Sequence, residues 1–102
     1  MPAKNIKWTA SASKELDNIF NYIAYESQSN KIALDFVKSI FQRTEQLELM
    51  PLSGQLEPNL KNFKVRYIVV GNYKIHYKYQ NETIIITDIF HAKRNPSKMK
   101  IT

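Results

Sequence analysis

Reactive and charged side chains gather near the end of the chain, in the segment His91-Ala-Lys-Arg94. The imidazole of His91 can accept or donate a proton near neutral pH, because its ordinary pKa lies there. Lys93 and Arg94 are cations, and the planar guanidinium of Arg94 suits a phosphate group in particular. These residue types could serve proton transfer beside a bound phosphate, or the binding of an acidic surface.

A second group, named here the basic row, consists of Lys74, His76 and Lys78, which alternate with the period of a β-strand. Side chains two positions apart share one face of a sheet, so we expect the row to lie on an open face. The lysines could hold a nucleic-acid backbone, and His76 with Tyr67 could stack on bases. The alternative is an ordinary solvated surface, because single exposed aromatic residues are common.

The excess positive charge lies in the last two fifths of the chain. Residues 1–60 carry six basic and seven acidic side chains, and residues 61–102 carry nine basic and two acidic ones, so the net charges are −1 and +7. Clustered charge raises the affinity and the encounter rate for a partner of opposite sign. This pattern favours nucleic acid or an acidic protein segment as the partner, with a solubility surface as the alternative.

Length and composition restrict the class of protein. We expect the 102 residues to form one domain, 1–102, whose small core leaves only a shallow groove for any chemistry. Cysteine is absent and two histidines are too few for a metal cage, so no disulfide, metal or cofactor is expected. The sequence shows no hydrophobic signal segment and no apolar run long enough to span a bilayer, which predicts a soluble cytoplasmic protein without membrane contact.

Two helices are predicted in the first half of the chain. Apolar residues recur at three- and four-residue spacing over 11–26 and again over 33–49. Serine, glutamine and asparagine interrupt the pattern at 27–30, because their side chains compete for backbone hydrogen bonds. The helices should therefore form an antiparallel hairpin with both apolar stripes on a common core.

Strands are predicted on both sides of this hairpin. The apolar residues Ile6 and Trp8 indicate a short first strand. Pro51 and Gly54 end the second helix and predict a loop over residues 50–62. Side chains after the loop alternate with a period of two, which predicts three further strands over 63–70, 73–79 and 83–91.

The two residues Gly71-Asn72 read as a tight hairpin turn, and this turn sets the register of the strands that it joins. Ile68 should lie opposite Ile75, and Arg66 opposite Tyr77, on a face that covers the helices. On that side, Arg66 is expected to pair with a helix carboxylate. The fold class is therefore α+β, with an N-terminal strand and a helical hairpin packed on a small antiparallel sheet in the order β-α-α-β-β-β.

Several motifs accompany this order of elements, namely Pro51-Leu-Ser-Gly54, Arg66, Gly71-Asn-Tyr73, Tyr77 and the ending His91-Ala-Lys-Arg-Asn-Pro96. Together they resemble toxins of the RelE/ParE superfamily from bacterial type II toxin–antitoxin modules, over nearly the whole chain. The resemblance implies a small toxin that is neutralised by a cognate antitoxin. It also implies that the antitoxin wraps the domain with acidic or amphipathic segments.

The resemblance implies one of two targets. RelE-like members cleave messenger RNA on the ribosome without a metal ion, whereas ParE-like members inhibit DNA gyrase. In a ribonuclease, His91 would transfer a proton and Arg94 would bind the phosphate, so these two are the candidate catalytic residues. The candidate residues for holding the target or a phosphate are Lys74, His76, Lys78, Lys93 and Arg94.

The motifs favour the ParE-like branch. The arginine that RelE places before the central turn falls at Val69, and the tyrosine that RelE places after the closing arginine is absent, since none follows Tyr79. Binding of DNA gyrase is therefore the leading hypothesis, with ribosome-dependent cleavage of messenger RNA second. A non-toxic nucleic-acid-binding module is the third. His91 could also be a polar cap at the end of a strand.

Overall fold

The computed structural model describes residues 2–92. Within them the elements are β1 (Asn5–Trp8), α1 (Ala10–Ser27), α2 (Asn30–Leu49), β2 (Gln55–Leu56), a 3₁₀ segment (Pro58–Phe63), β3 (Arg66–Val70), β4 (Tyr73–Gln80) and β5 (Thr83–His91). The strands form one sheet in the order β1-β5-β4-β3-β2, and the two helices pack on one of its faces. The predicted α+β class and order of elements are confirmed, with the two-residue β2 as an addition.

Each helix begins at a hydroxyl cap. The Thr9 hydroxyl accepts a hydrogen bond from the N–H of Ala12, and the Ser29 hydroxyl accepts one from the N–H of Ile32, both at 3.1 Å. These bonds satisfy N–H groups that no helix carbonyl can reach. Gln28 has a φ of 57°, in the left-handed region, and turns the chain back between the helices. The predicted hairpin is confirmed, and its buried side consists of Ala12, Ile19, Ala33, Ile40, Thr44 and Leu47.

The first strand pairs in a direction that the sequence did not predict. β1 lies parallel to β5, with Ile6 beside Ile84 and Trp8 beside Ile86, so the sheet is mixed rather than wholly antiparallel. Strands β3, β4 and β5 pair antiparallel as predicted, and β2, which was not predicted, lies antiparallel to β3. Alternating apolar side chains show which face of a strand is buried, but they carry no information about the direction of the neighbouring strand.

The predicted turn and register of the central strands are confirmed. Gly71 has a φ of 59°, which a tight two-residue hairpin turn requires at that position. Ile68 lies opposite Ile75, and Arg66 lies opposite Tyr77. The side of the sheet that faces the helices forms most of the core, with Ile68, Val70, Tyr73, Ile75, Tyr77, Ile84, Ile86 and Ile89.

Residues 51–63, named the strap below, are more ordered than the loop that the sequence predicted. They contain β2, which pairs with β3, and the 3₁₀ segment. Side chains of the strap reach the sheet face that lies away from the helices. A two-residue strand and a short 3₁₀ segment are too brief to show a hydrophobic period, so the pattern could not reveal them.

Two side chains of the sheet anchor the strap. The Tyr77 hydroxyl donates to the Pro51 carbonyl at 2.7 Å and accepts from the N–H of Gly54 at 2.9 Å. Arg66 donates to the Gly54 carbonyl at 2.8 Å, so its partner is a backbone group and not the helix carboxylate that was predicted. A Cβ at Gly54 would lie 2.6 Å from the Tyr77 ring, and only glycine fits this close approach.

We expect Tyr77→Phe to lower the free energy of unfolding by about 1–3 kcal/mol, because two buried backbone groups of the strap lose their partner. Burial raises the pKa of Tyr77 above its ordinary value. The unfolded chain therefore ionises first, and the wild-type protein should lose stability as the pH rises through the ordinary tyrosine value. Urea denaturation at neutral and alkaline pH checks both effects, with the exposed Tyr25→Phe as control. An unchanged midpoint in Tyr77→Phe would contradict the anchoring role.

Candidate functional site

The basic row lies on the sheet face away from the helices, and the strap covers part of it. His76 is 2% exposed, and Glu57, which comes from the strap, is 3% exposed. The prediction of an open basic face is therefore wrong at His76. Alternation along β4 identified the face, but the pattern of one strand does not show which other segment covers it.

Glu57 is the centre of a buried cluster with two members of the row. Its Oε2 atom accepts a hydrogen bond from Lys74 Nζ at 3.0 Å and lies 3.0 Å from His76 Nε2. The side chain of Lys74 is 19% exposed, so solvent screens this ion pair only weakly. Backbone hydrogen bonds from Glu57 to Val65 and from Leu60 to Glu57 fix the backbone that carries this side chain. Glu57, Lys74 and His76 are named the Glu57 cluster below.

The surroundings of His76 favour the neutral form of its imidazole. Burial lowers the pKa of His76 below its ordinary value of 6.5, and it outweighs Glu57 and Asp88, which favour the charged form. The neutral ring donates its Nε2–H to Glu57. His76 is therefore a poor source of positive charge for holding a polyanion.

Lys74 is also committed to internal contacts. Besides its bond to Glu57, its Nζ lies 4.1 Å from the centre of the Tyr67 ring. A partly desolvated cation is stabilised over the face of an aromatic ring. The Tyr67 hydroxyl in turn donates to Gln55 Oε1 at 2.8 Å. The ring is thus held between β2 and Lys74, and the stacking on bases that was predicted for it would have to displace these contacts.

Lys78 is the member of the row that stands outside the Glu57 cluster. No ion pair within residues 2–92 holds it. The Asp88 carboxylate borders the same cavity as Lys78, so a phosphate there would meet both charges. The cavity has a volume of about 240 Å³ and is lined by Leu60, Phe63, Val65, His76, Lys78, Thr87 and Asp88.

His91 lies on the opposite face of the sheet from the basic row. It ends β5 directly opposite Tyr73, whose ring packs against Phe36 of α2. The rings of His91 and Tyr73 are 5.0 Å apart, edge to face. Directly paired residues share a face, so His91 is on the helical side of the sheet. The structure does not bring His91 and the basic row into one site, and the other two candidates, Lys93 and Arg94, lie outside the described residues.

Glu57 is a site residue that the sequence patterns did not predict, because it lies in the segment predicted to be a loop. One signal could have found it. Glu57 is the only acidic residue between Glu48 and Glu82, at the start of the basic part of the chain. A lone carboxylate among cations is a natural partner for one of them, and burial of the pair then removes both charges from the surface.

Among residues 2–92, no group of three or more histidine and acidic side chains could hold a metal ion. No helix of the same residues is long and apolar enough to cross a membrane.

We expect the stability of the protein to decrease as the pH falls from about 7 to about 5, because the unfolded chain takes up a proton at His76 that the folded chain binds less readily. The lowered pKa of His76 gives this sign. His76→Gln keeps a polar side chain without this proton and should flatten the dependence. Thermal unfolding across this range checks the prediction, and equal slopes for the two proteins would contradict it.

Comparison with known proteins decides the family. Residues 6–96 match the family model described as "ParE toxin of type II toxin-antitoxin system, parDE". The chain belongs to the ParE toxin family. A solved structure titled "Chromosomal ParDE TA system from P. aeruginosa" shares the fold, with a TM-score of 0.71 and 20% identity over 87% of this chain and 96% of that one. No curated protein matches the sequence.

Membership of the ParE family confirms the prediction of a RelE/ParE-superfamily toxin from a type II toxin–antitoxin system. It also accords with the two positions at which the sequence departs from RelE, at Val69 and after Arg94. In this ParE-family toxin, the motif residues Gly54, Arg66 and Tyr77 serve to anchor the strap. Their place in the motif therefore has a structural explanation.

Proposed function

We propose that this ParE-family toxin inhibits bacterial growth in the cytoplasm by binding DNA gyrase, and that a cognate antitoxin neutralises it. The Glu57 cluster is the observation that carries the proposal. Lys74 is paired with Glu57, and His76 is neutral and buried. The face that would have to hold RNA therefore has little positive charge available, and inhibition by binding a protein is the function that fits this arrangement best.

The chemistry of RNA cleavage places demands that the described residues meet poorly. Attack by a 2′-hydroxyl needs a proton acceptor, a proton donor and cations for the developing phosphorane charge. The imidazole of His76 could in principle transfer a proton, but its Nε2 is engaged with Glu57 and its side chain is buried. His91 is half-buried on the other face, against Tyr73. These placements favour binding over cleavage.

Ribosome-dependent cleavage of messenger RNA is the second candidate function, and one feature favours it. Lys93 and Arg94 follow His91 directly in the sequence, so a proton-exchanging group and two cations adjoin one another. Under the leading proposal, the same two cations contact an acidic surface of the target.

Induction of the toxin alone in cells distinguishes the two candidates. A gyrase inhibitor should block supercoiling of a reporter plasmid and provoke a DNA-damage response. A ribonuclease should instead truncate transcripts within their reading frames. Plasmid topology and transcript ends can be measured in the same culture. Truncated transcripts with unchanged plasmid topology would overturn the proposal in favour of the second candidate.

The antitoxin part of the proposal has its own test. Co-expression with the adjacent reading frame should give a stable complex and restore growth. The expected antitoxin contacts the toxin through acidic or amphipathic segments, because the basic part of the chain attracts acidic ones and apolar surface receives amphipathic ones. If the neighbouring product neither binds nor protects, this part of the proposal fails.

A further inference from the structure

An apolar surface lies at the end of α2, well separated in sequence from the basic row. Leu49 is 73% exposed, Met50 is 65% exposed and Leu52 is 61% exposed. They are named the apolar shelf, and they border a depression of about 370 Å³ that is also lined by Pro51, Ser53 and Tyr79. Clustered apolar side chains in contact with water mark sites of interaction with other molecules.

The fold holds the shelf in this position. The carbonyl of Pro51 accepts from Tyr77, and that of Leu52 accepts from Arg66 at 3.3 Å. The N–H of Met50 donates to the carbonyl of Gln46. The polar backbone groups are therefore used inside the protein, and the apolar side chains point outward. A surface that is already ordered loses little entropy when a partner binds.

The shelf is acidic on the side of α2, whereas on its other side the Arg66 guanidinium donates to the carbonyls of Leu52 and Gly54. A second depression adjoins it at Leu49 and is lined by Gln42, Glu45, Gln46 and Glu48, with no basic residue among them. The last turn of α2 contains no basic residue either. The carbonyl end of a helix carries partial negative charge, so it adds to the charge of the two glutamates. One turn earlier, Arg43 donates its guanidinium hydrogen bond to Gln46.

The acidic side of the shelf selects the partner. Its two glutamates disfavour a polyanion such as nucleic acid, and a second copy docked symmetrically would place the same glutamates against each other. We propose that the apolar shelf binds a segment of a partner protein that carries apolar side chains flanked by lysine or arginine. Under the proposed function, on which this identification rests, the antitoxin supplies that segment. The antitoxin would then contact this end of the toxin with basic residues and the basic end with acidic ones.

Two synthetic peptides of equal length test the chemistry of the shelf. Both carry leucines at the i, i+3, i+4 and i+7 positions of a helix, and they differ only in flanking lysines or flanking glutamates. When the lysine peptide is added to the full-length toxin, the NMR signals of Leu49, Met50 and Leu52 should shift. We expect the glutamate peptide to bind about tenfold more weakly, because it meets like charge.

Matched variants make the test specific. Leu52→Ser should lower the affinity for the lysine peptide about tenfold, because the partner loses an apolar anchor. Leu34→Ser, at another exposed leucine of α2, should leave its affinity unchanged. Glu45→Lys combined with Glu48→Lys should reverse the preference between the peptides. Equal binding of both peptides, or shifts away from the shelf, would overturn the proposal. So would a concentration-dependent dimer that Leu52→Ser disperses, because a second copy would then be the occupant.

The antitoxin itself is tested with Leu49→Ser combined with Leu52→Ser. This variant should still inhibit growth, while its complex with the co-expressed antitoxin dissociates about tenfold faster. A complex that dissociates at the wild-type rate would overturn the assignment to the antitoxin. Failure of gyrase inhibition is a separate result, because the peptide and dissociation measurements do not depend on the cellular target.

Discussion

Replacing Glu57 with alanine should lower the free energy of unfolding by about 3 kcal/mol. Removal of one partner from a buried ion pair typically costs about 3–5 kcal/mol, because the remaining charge loses its partner and does not regain water. The low end of that range applies here, since the Lys74 side chain is 19% exposed and can partly rehydrate. Chemical denaturation of both proteins at neutral pH measures the difference.

An exposed ion pair serves as the control for this prediction. Lys31 and Asp35 pair across one turn of α2 at 2.8 Å, with more than half of each side chain in contact with solvent. Asp35→Ala should therefore leave the unfolding free energy nearly unchanged, because solvent screens an exposed ion pair. If Glu57→Ala behaved like Asp35→Ala, the strap would not depend on the Glu57 cluster, and the cluster would not keep the basic row covered.

Arg94→Ala should abolish growth inhibition, while the protein still folds and still binds its antitoxin through the antitoxin's other contacts. The substitution removes a cation from the segment that follows β5, and such a residue has few structural duties. Lys38→Ala removes the same charge from an exposed position of α2 and should leave growth inhibition unchanged. Growth after induction, thermal unfolding and copurification with the antitoxin measure the three properties. A folded Arg94→Ala protein that remains fully toxic would move the active surface elsewhere, with Lys78 as the next residue to test.

His91→Ala then separates binding from cleavage. A ribonuclease that used the imidazole for proton transfer would lose about 10²–10⁴ in rate. An inhibitor that only binds would lose the one or two kcal/mol of a polar contact, roughly a five- to thirtyfold change in affinity. The edge-to-face contact with Tyr73 supports the smaller effect.

The helical hairpin and the central strands could be predicted because their patterns are long. Helices of 18 and 20 residues repeat an apolar stripe several times, and Gly71-Asn72 sets the register of every residue pair on either side of it. The parallel pairing of β1 could not be predicted, because alternation shows the faces of a strand and not the direction of its neighbour. The fold is thus predictable where the same apolar pattern recurs over several helical turns or several strand pairs.

The candidate site was harder to predict for a related reason. Whether His76 is exposed depends on the strap, which belongs to a different part of the chain and has no period of its own. The pairing of Lys74 with Glu57 joins residues 17 positions apart, and no spacing rule connects them. The residue types showed which chemistry the basic row could perform. Only the tertiary contacts show that the charge of Lys74 is paired inside the protein with Glu57.

Supercoiling of relaxed plasmid by purified DNA gyrase, with increasing amounts of purified toxin, tests the central claim most directly. The account predicts inhibition that saturates with toxin concentration, is lost with Arg94→Ala and is relieved by the antitoxin. A parallel reaction on translating ribosomes should leave messenger RNA intact. Unaffected supercoiling together with cleavage of messenger RNA in that reaction would contradict the account.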